Sequence, residues 1–159
     1  MAIDVQLHEQ PLESRPNPDS LRSPDAGAVI WFEGRTRRRT GETITQTLFY
    51  EAYVPMALEQ LRRLAQQAVE RFELWGVVIH HRLGEVPIGE ASVVVGCSSA
   101  HRKQALESVA WIMDTLKTEV PIWKRETTVS ASDDADKTFW VHPVLEPGDG
   151  SDVSSGPDS

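Results

Sequence analysis

Two rhythms of apolar residues run through the chain. AIDVQL (2–7) alternates apolar and polar residues like a short strand, and AVIWF (28–32) and TITQTLFYEAY (43–53) are β-rich runs. Between the last two, EGRTRRRTGE (33–42) places Gly34 and Gly41 in what reads as a long loop joining two strands, not a tight hairpin. Met56, Leu58, Leu61, Leu64, Ala65, Ala68, Val69 and Phe72 then recur at helical spacing behind Pro55, a residue suited to a first helical turn. WGVVIHHRLG (75–84) reads as a strand running into a turn, EVPIGE (85–90) as a turn, and ASVVVGC (91–97) as a buried strand. Ser98 and Ser99 are candidate caps for a second helix whose apolar face is Ala105, Val109, Ile112, Met113 and Leu116. Pro121 opposes its continuation, so Lys117 falls near the last turn. The order ββαββα, without regular βαβ alternation, predicts an α+β sandwich and not a doubly wound parallel sheet.

With 159 residues the chain suits one domain with one sizeable core. PLESRPNPDSLRSPDAG (11–27) reads as a connection with room for one helical turn. No apolar run approaches the roughly 20 residues that cross a bilayer, and MAIDVQLHEQ lacks the basic start and apolar stretch of a signal peptide; a cytoplasmic protein is expected. Cys97 is the sole cysteine, which excludes an internal disulfide and every multi-cysteine metal site. The net charge of −8 is unevenly placed: residues 131–159 hold seven acids and one base, −6 in all, leaving −2 for the rest. A folded domain over 1–142 followed by an acidic, disordered tail over 143–159 is therefore expected, the tail being too polar to bury a core. Neither an overall basic domain nor an aromatic-interleaved basic stripe is present, which argues against nucleic-acid binding.

Four features could carry chemistry. GRTRRR (34–39) gathers Arg35, Arg37, Arg38 and Arg39, whose guanidinium forks suit phosphate, although a solvated loop tip has the same composition. GCSSAHR (96–102) follows a strand and opens a helix, where free backbone N–H groups, serine hydroxyls, His101 and Arg102 can converge on an anion; an ordinary serine cap is the plainer reading. Lys117 and Lys124 flank Pro121, Ile122 and Trp123 in KTEVPIWKRE (117–126), a mixture of cations and apolar residues that reads as the wall of a site. A helix-end lysine is ordinarily a complement to the dipole, and acting as base or nucleophile requires desolvation or a neighbouring cation. His80 and His81, adjacent on a strand, point to opposite faces and cannot share a ligand, so packing or surface roles are expected; no metal site is predicted.

GAVIWFEGRTR, YEAYVPMAL, IHHRLGEVPIGEASVVVGCSSAHR and DTLKTEVPIWKRE, in this order and spacing over residues 27–126, resemble successive signatures of the large, catalytic subunit of molybdopterin synthase. The resemblance implies an α/β hammerhead fold, a two-layer sandwich with additional β-strands. It also implies a homodimer at the centre of a heterotetramer, with a small ubiquitin-like sulfur-carrier subunit at each end whose C-terminal Gly-Gly is a thiocarboxylate. The implied reaction moves two sulfurs to cyclic pyranopterin monophosphate, forming the dithiolene of molybdopterin, with no cofactor in this subunit. Carried over by motif, Arg37, His101, Arg102, Lys117 and Lys124 become substrate-binding residues, joined by Arg35 and Thr36 in the same loop and by Arg125 and Glu126 in the last motif. Lys117 and Lys124 are the implied catalytic pair. Glu33 and Arg35 stand where the family often has an apolar residue and a Thr or Lys. A non-catalytic phosphate or nucleotide-binding module, or a scaffold subunit, is the competing reading, and the lysine pair is what the former leaves unexplained.

Overall fold

The computed structural model describes residues 1–41, 43–130 and 133–141. Its strands are β1 (Ala2–His8), β2 (Ala28–Arg35), β3 (Arg39–Thr40), β4 (Thr43–Ala52), β5 (Leu74–Arg82), β6 (Gly84–Val86), β7 (Ala91–Ser99), β8 (Ile122–Ser130) and β9 (Asp133–Val141), with helices α1 (Val54–Phe72) and α2 (Arg102–Glu119). One sheet has the order β1-β5-β7-β2, parallel between β1 and β5 and antiparallel elsewhere. A second sheet runs β3-β4-β8-β9, with β6 also paired to β4. The architecture is α+β, as the pattern predicts.

The period-3.6 pattern becomes two helices on one face of the first sheet. Leu61, Leu64, Ala65 and Ala68 of α1 and Val109, Ile112 and Leu116 of α2 pack against Val77, Ile79, Val93, Val95 and Cys97. Each fully buried aliphatic side chain of this kind contributes about 1.5–3 kcal/mol relative to exposure. α1 ends where Glu73 turns left-handed (φ 53°) and returns its N–H to the Val69 carbonyl. The opposite face of the sheet buries Val78 and Val94. There a 3-10 turn over Pro18–Leu21, the helical turn expected in the 11–27 connection, lays Leu21 against Gly76 and Gly96. β1 is tied to the sheet by a polar chain in which His80 joins Asp4 (3.0 Å) and His8 (3.0 Å), while Asn17 donates to Asp4.

Three expectations need correction. Ser98 and Ser99 do not cap α2: they continue β7, opposite Val29 and Ala28, and His101 takes the N-cap position without a side-chain bond. The basic loop is shorter than it reads, because Arg39 and Thr40 pair with Ile44 and Thr43 and Gly41 adopts φ 59°, so its distal half is a tight hairpin. KTEVPIWKRE is not simply a helix end and a wall; from Ile122 it is strand β8, antiparallel to β4 along Ala52–Thr43. The predicted tail over 143–159 lies outside the described residues. No helix among the described residues is long and apolar enough to cross a membrane.

A Cβ at Gly76 would sit 2.3 Å from the Ser20 carbonyl oxygen and 3.2 Å from the Leu21 Cα, backbone atoms that cannot rotate aside. Gly76→Ala is therefore expected to destabilise the fold by about 1–3 kcal/mol through overpacking. Urea denaturation checks it; an unchanged midpoint would show that the 3-10 turn is not seated on the sheet.

Candidate active site

The chain builds two basic poles at opposite ends of α2. At the N-terminal pole, His101 and Arg102 are exposed, and Ser99 Oγ donates to the His101 carbonyl at 2.7 Å, fixing the approach to the helix. Gly27 donates its N–H to the Ser99 carbonyl and lies against Ala100, where a Cβ would meet the carbonyl oxygen at 2.3 Å. Gly27, Ala100, His101, Arg102 and Lys103 line an open concavity of about 450 Å³. The serine hydroxyls expected to face an anion do not do so: Ser98 and Ser99 are buried.

Lys117 lies in the last turn of α2, exposed. Fifteen residues separate it from Arg102, about 22 Å at 1.5 Å per residue. Because α2 follows β7 and packs back over β7 and β2, Lys117 is carried to the end of the sheet where β7 begins. Arg35 is paired with Ala91 at that end, and Ala28 with Ser99 at the other, so Thr36 and Arg37 leave the sheet on the Lys117 side. Lys124 comes to the same end through a chain of pairings: it faces Tyr50, which faces Gly84 just beyond the end of β5. One pole thus holds Arg35, Thr36, Arg37, Lys117, Lys124, Arg125 and Glu126, whereas His101 and Arg102 are at the far pole of the same chain.

Alternation along β8 sorts the last motif. Ile122 is buried in the core, and Lys124 and Glu126 share its face, with Lys124 Nζ 3.8 Å from Glu126 Oε2. Thr45 Oγ1 donates to the other Glu126 oxygen, so this carboxylate is held on two sides. Trp123 and Arg125 project from the opposite face, where the Arg125 guanidinium lies 4.7 Å from the Phe49 ring centre. Arg125 therefore stands back to back with Lys124 instead of beside it. In the loop, Arg35 donates from Nε and a terminal nitrogen to Glu33, and from its other nitrogen to the Gly89 carbonyl at 3.3 Å. Hydrogen bonds from Ser14 and Arg35 hold the Glu33 carboxyl below the usual range. The two residues that depart from the family pattern are thus each other's partners. Thr36 is buried at 3% exposure between Arg35 and Arg37, both exposed.

The adjacent histidines take the packing role expected of them, both buried within the first sheet. His81 is fully buried, its Nδ1 2.8 Å from the Arg82 carbonyl and its ring edge-on to Tyr50, 5.0 Å between centres. Burial lowers its pKa to about 4, and burial likewise lowers that of His80. Cys97 is buried beside the core, which raises its thiol pKa to about 11. Among the described residues no group of three or more His, Cys, Asp or Glu is placed to hold a metal.

The architecture is that of molybdopterin synthase structures. A crystal structure of molybdopterin synthase from Staphylococcus aureus superposes with a TM-score of 0.74 at 30% identity, covering 84% of this chain and 94% of that one. A complex of subunits 1 and 2 of molybdopterin-converting factor from Helicobacter pylori shares the fold at 21% identity, with a TM-score of 0.64 over 82% of this chain and 92% of that one. The model of the MoaE protein family matches residues 7–119, and the chain belongs to this family. A relative from Emericella nidulans named molybdopterin synthase catalytic subunit is 44% identical over 109 residues, 69% of this chain and 56% of that protein. One of the same name from Pyrococcus abyssi is 37% identical over 121 residues, 76% of this chain and 78% of that protein.

The sign of the His81 titration gives a stability test. Below pH 6.5 the unfolded chain takes up a proton that the folded site refuses until about pH 4, so stability is full above 6.5 and falls as the pH drops through that window. At pH 5 the expected loss is about 2 kcal/mol. His81→Leu should shrink the difference in unfolding free energy between pH 7.5 and pH 5 by about that amount, measured by urea denaturation at the two values. An identical pH response in the variant would mean that His81 titrates normally.

Proposed function

We propose that this chain is the catalytic subunit of a molybdopterin synthase, working in the cytoplasm as a central homodimer with one small sulfur-carrier subunit on each protomer. The reaction transfers two sulfurs from the thiocarboxylated C-terminus of that subunit to cyclic pyranopterin monophosphate, forming the dithiolene. The gathering of Arg37, Lys117 and Lys124 at one end of the sheet, in a chain of the MoaE family, carries this reading. Relatives bearing the catalytic-subunit name support it, as does the 30%-identical synthase structure.

Each residue has work suited to its position. Arg37 offers charge-assisted bonds to the cyclic phosphate. Lys124, steadied by Glu126, orients the pterin and the partner's carbonyl and stabilises the negative charge that develops there. Lys117 serves as base, or as transient acceptor of the acyl group that the departing sulfur leaves behind.

His101 and Arg102 join this site from a second copy. A helix holds them about 22 Å from Lys117 in their own chain. A two-fold axis that sets two α2 helices antiparallel brings the N-terminal pole of one protomer to the C-terminal pole of its partner. β2 ends the first sheet's strand order, and an antiparallel meeting of two β2 edges places the Ala28 end of one against the Arg35 end of the other, in keeping with that axis.

Lys117→Ala and Lys117→Arg are both expected to abolish single-turnover dithiolene formation with saturating thiocarboxylated partner, because arginine keeps the charge but does not release a proton. Lys124→Arg should retain measurable turnover as a fixed cation. Near-normal turnover by Lys117→Arg would move the catalytic assignment elsewhere. Subunit mixing tests the shared site: Lys117→Ala and Arg102→Ala homodimers, each inactive, should regain about one quarter of wild-type activity after exchange, since half the dimers then carry one intact site. No recovery despite exchange confirmed by native mass spectrometry would place both residues in one protomer's pocket.

A further inference from the structure

Two stretches of the chain, HRLG (81–84) and GE (89–90), supply none of the candidate site residues, yet Gly89 and Glu90 bond the arginine loop and Arg82 pairs with Glu90. Arg82 closes β5 with its side chain only 10% exposed, and its terminal nitrogen lies 2.5 Å from Glu90 Oε2. The chain between them folds back through Gly84 (φ 81°) and Gly89 (φ 85°), and Glu90 closes the turn with its N–H on the Pro87 carbonyl. Pro87, Ile88 and Gly89 are all exposed, so the turn has no apolar anchor of its own after Val86. Its side-chain tie to the fold is the carboxylate of Glu90 on a guanidinium buried at the strand end.

The turn in turn grips the loop. Thr36 donates its N–H to the Glu90 carbonyl at 3.0 Å and accepts the Gly89 N–H at 2.8 Å, so both its backbone groups are spent on these two residues. Arg35 adds its bond to the Gly89 carbonyl. Just before this point the β2–β7 register shifts between Gly34 and Arg35, so regular pairing no longer directs the strand when it reaches Thr36. Where Arg37 emerges is therefore decided by the hold on Thr36.

We propose that the Arg82–Glu90 ion pair is a clasp that fixes the exit of Arg37 from the sheet, making Glu90 and Arg82 positioning residues for the substrate loop. The proposal rests on the reading of that loop as the pterin-phosphate contact. Glu90 acts through the backbone of Thr36 and touches no substrate; its removal leaves the Arg82 guanidinium buried without its carboxylate, and the turn is free to shift.

The test is Glu90→Gln in the complete complex, with circular dichroism as the folding control. The KM for the cyclic pterin should rise about tenfold with kcat little changed, because a mispositioned loop weakens binding of substrate and transition state alike. In an Arg37→Ala background the same change should alter KM by less than about twofold, since Glu90 then has nothing left to position. Independently of catalysis, hydrogen exchange at the Thr36 and Gly89 amides should accelerate in Glu90→Gln while the Val95 amide within β7 stays protected. If Glu90→Gln does not fold, Glu90→Asp, which keeps the charge but shortens its reach, is read in its place with the same expectations. An unchanged KM where Arg37→Ala raises it, or an equal rise with and without Arg37, overturns the clasp. Unaltered exchange at Thr36 overturns its structural basis. An unchanged KM in Arg37→Ala itself instead defeats the phosphate reading of the loop, and the positioning role falls with it.

Discussion

The antiparallel pairing of β5 with β7 governs the rest of the molecule. Both strands are buried along almost their whole length, with helices on one face and Leu21 in its 3-10 turn on the other. Such a pair tolerates no slip, because moving one strand by a single residue would exchange the two faces and set His81 against the wrong layer. From that register follow the level at which β2 ends, the point at which α2 starts and, through Gly84 and Tyr50, the height of Lys124. The candidate site residues come from β2 and the loop after it, from the two ends of α2 and from β8, and their relation to one another is inherited from two strands that contribute none of them.

Much of the fold was readable because its strands and helices each bury one consistent set of positions. The α1 stripe, the β7 run and the second helix follow from period alone. What escaped did so for physical reasons. β8 carries Lys124, Arg125 and Glu126 in succession, which hides the alternation of a strand; in the structure Arg125 stacks on Phe49 on one face, while Glu126 accepts from Thr45 and neighbours Lys124 on the other. Charges disposed of by cross-strand partners far away in sequence, Phe49 for Arg125 and Thr45 for Glu126, leave no local mark, so no window of neighbouring residues reveals the strand. Ser98 and Ser99 look like caps because serine usually is one there, yet the ladder outlasts the apolar run by two residues. The candidate site can be read only as a set of residue types and motifs; its division between two poles depends on the length and direction of a helix and not on which residues it carries.

The paired departures at Glu33 and Arg35 compensate each other. An arginine at position 35 adds a charge to a loop already carrying Arg37, Arg38 and Arg39, and an acid at 33 would by itself sit at odds with a phosphate contact. Two residues apart on one strand, they fall on the same face and cancel each other, with the spare guanidinium nitrogen bound to the Gly89 carbonyl. Arg37 is left as the residue of the motif that extends past this pair.

Cys97 bears on the fidelity of the proposed chemistry. A thiocarboxylate is also an activated acyl group, and an accessible thiolate in the protein receiving it would attack the carbonyl carbon, form a thioester and release the sulfur as hydrosulfide instead of letting it reach the pterin. The single cysteine of this chain lies inside the sheet with its thiol pKa pushed to about 11, so near neutrality it is protonated as well as out of reach. The core that organises the candidate site thereby keeps the chain's one thiol away from any activated acyl group brought to the surface, and a donor of that kind would meet no competing nucleophile of this type in the protein.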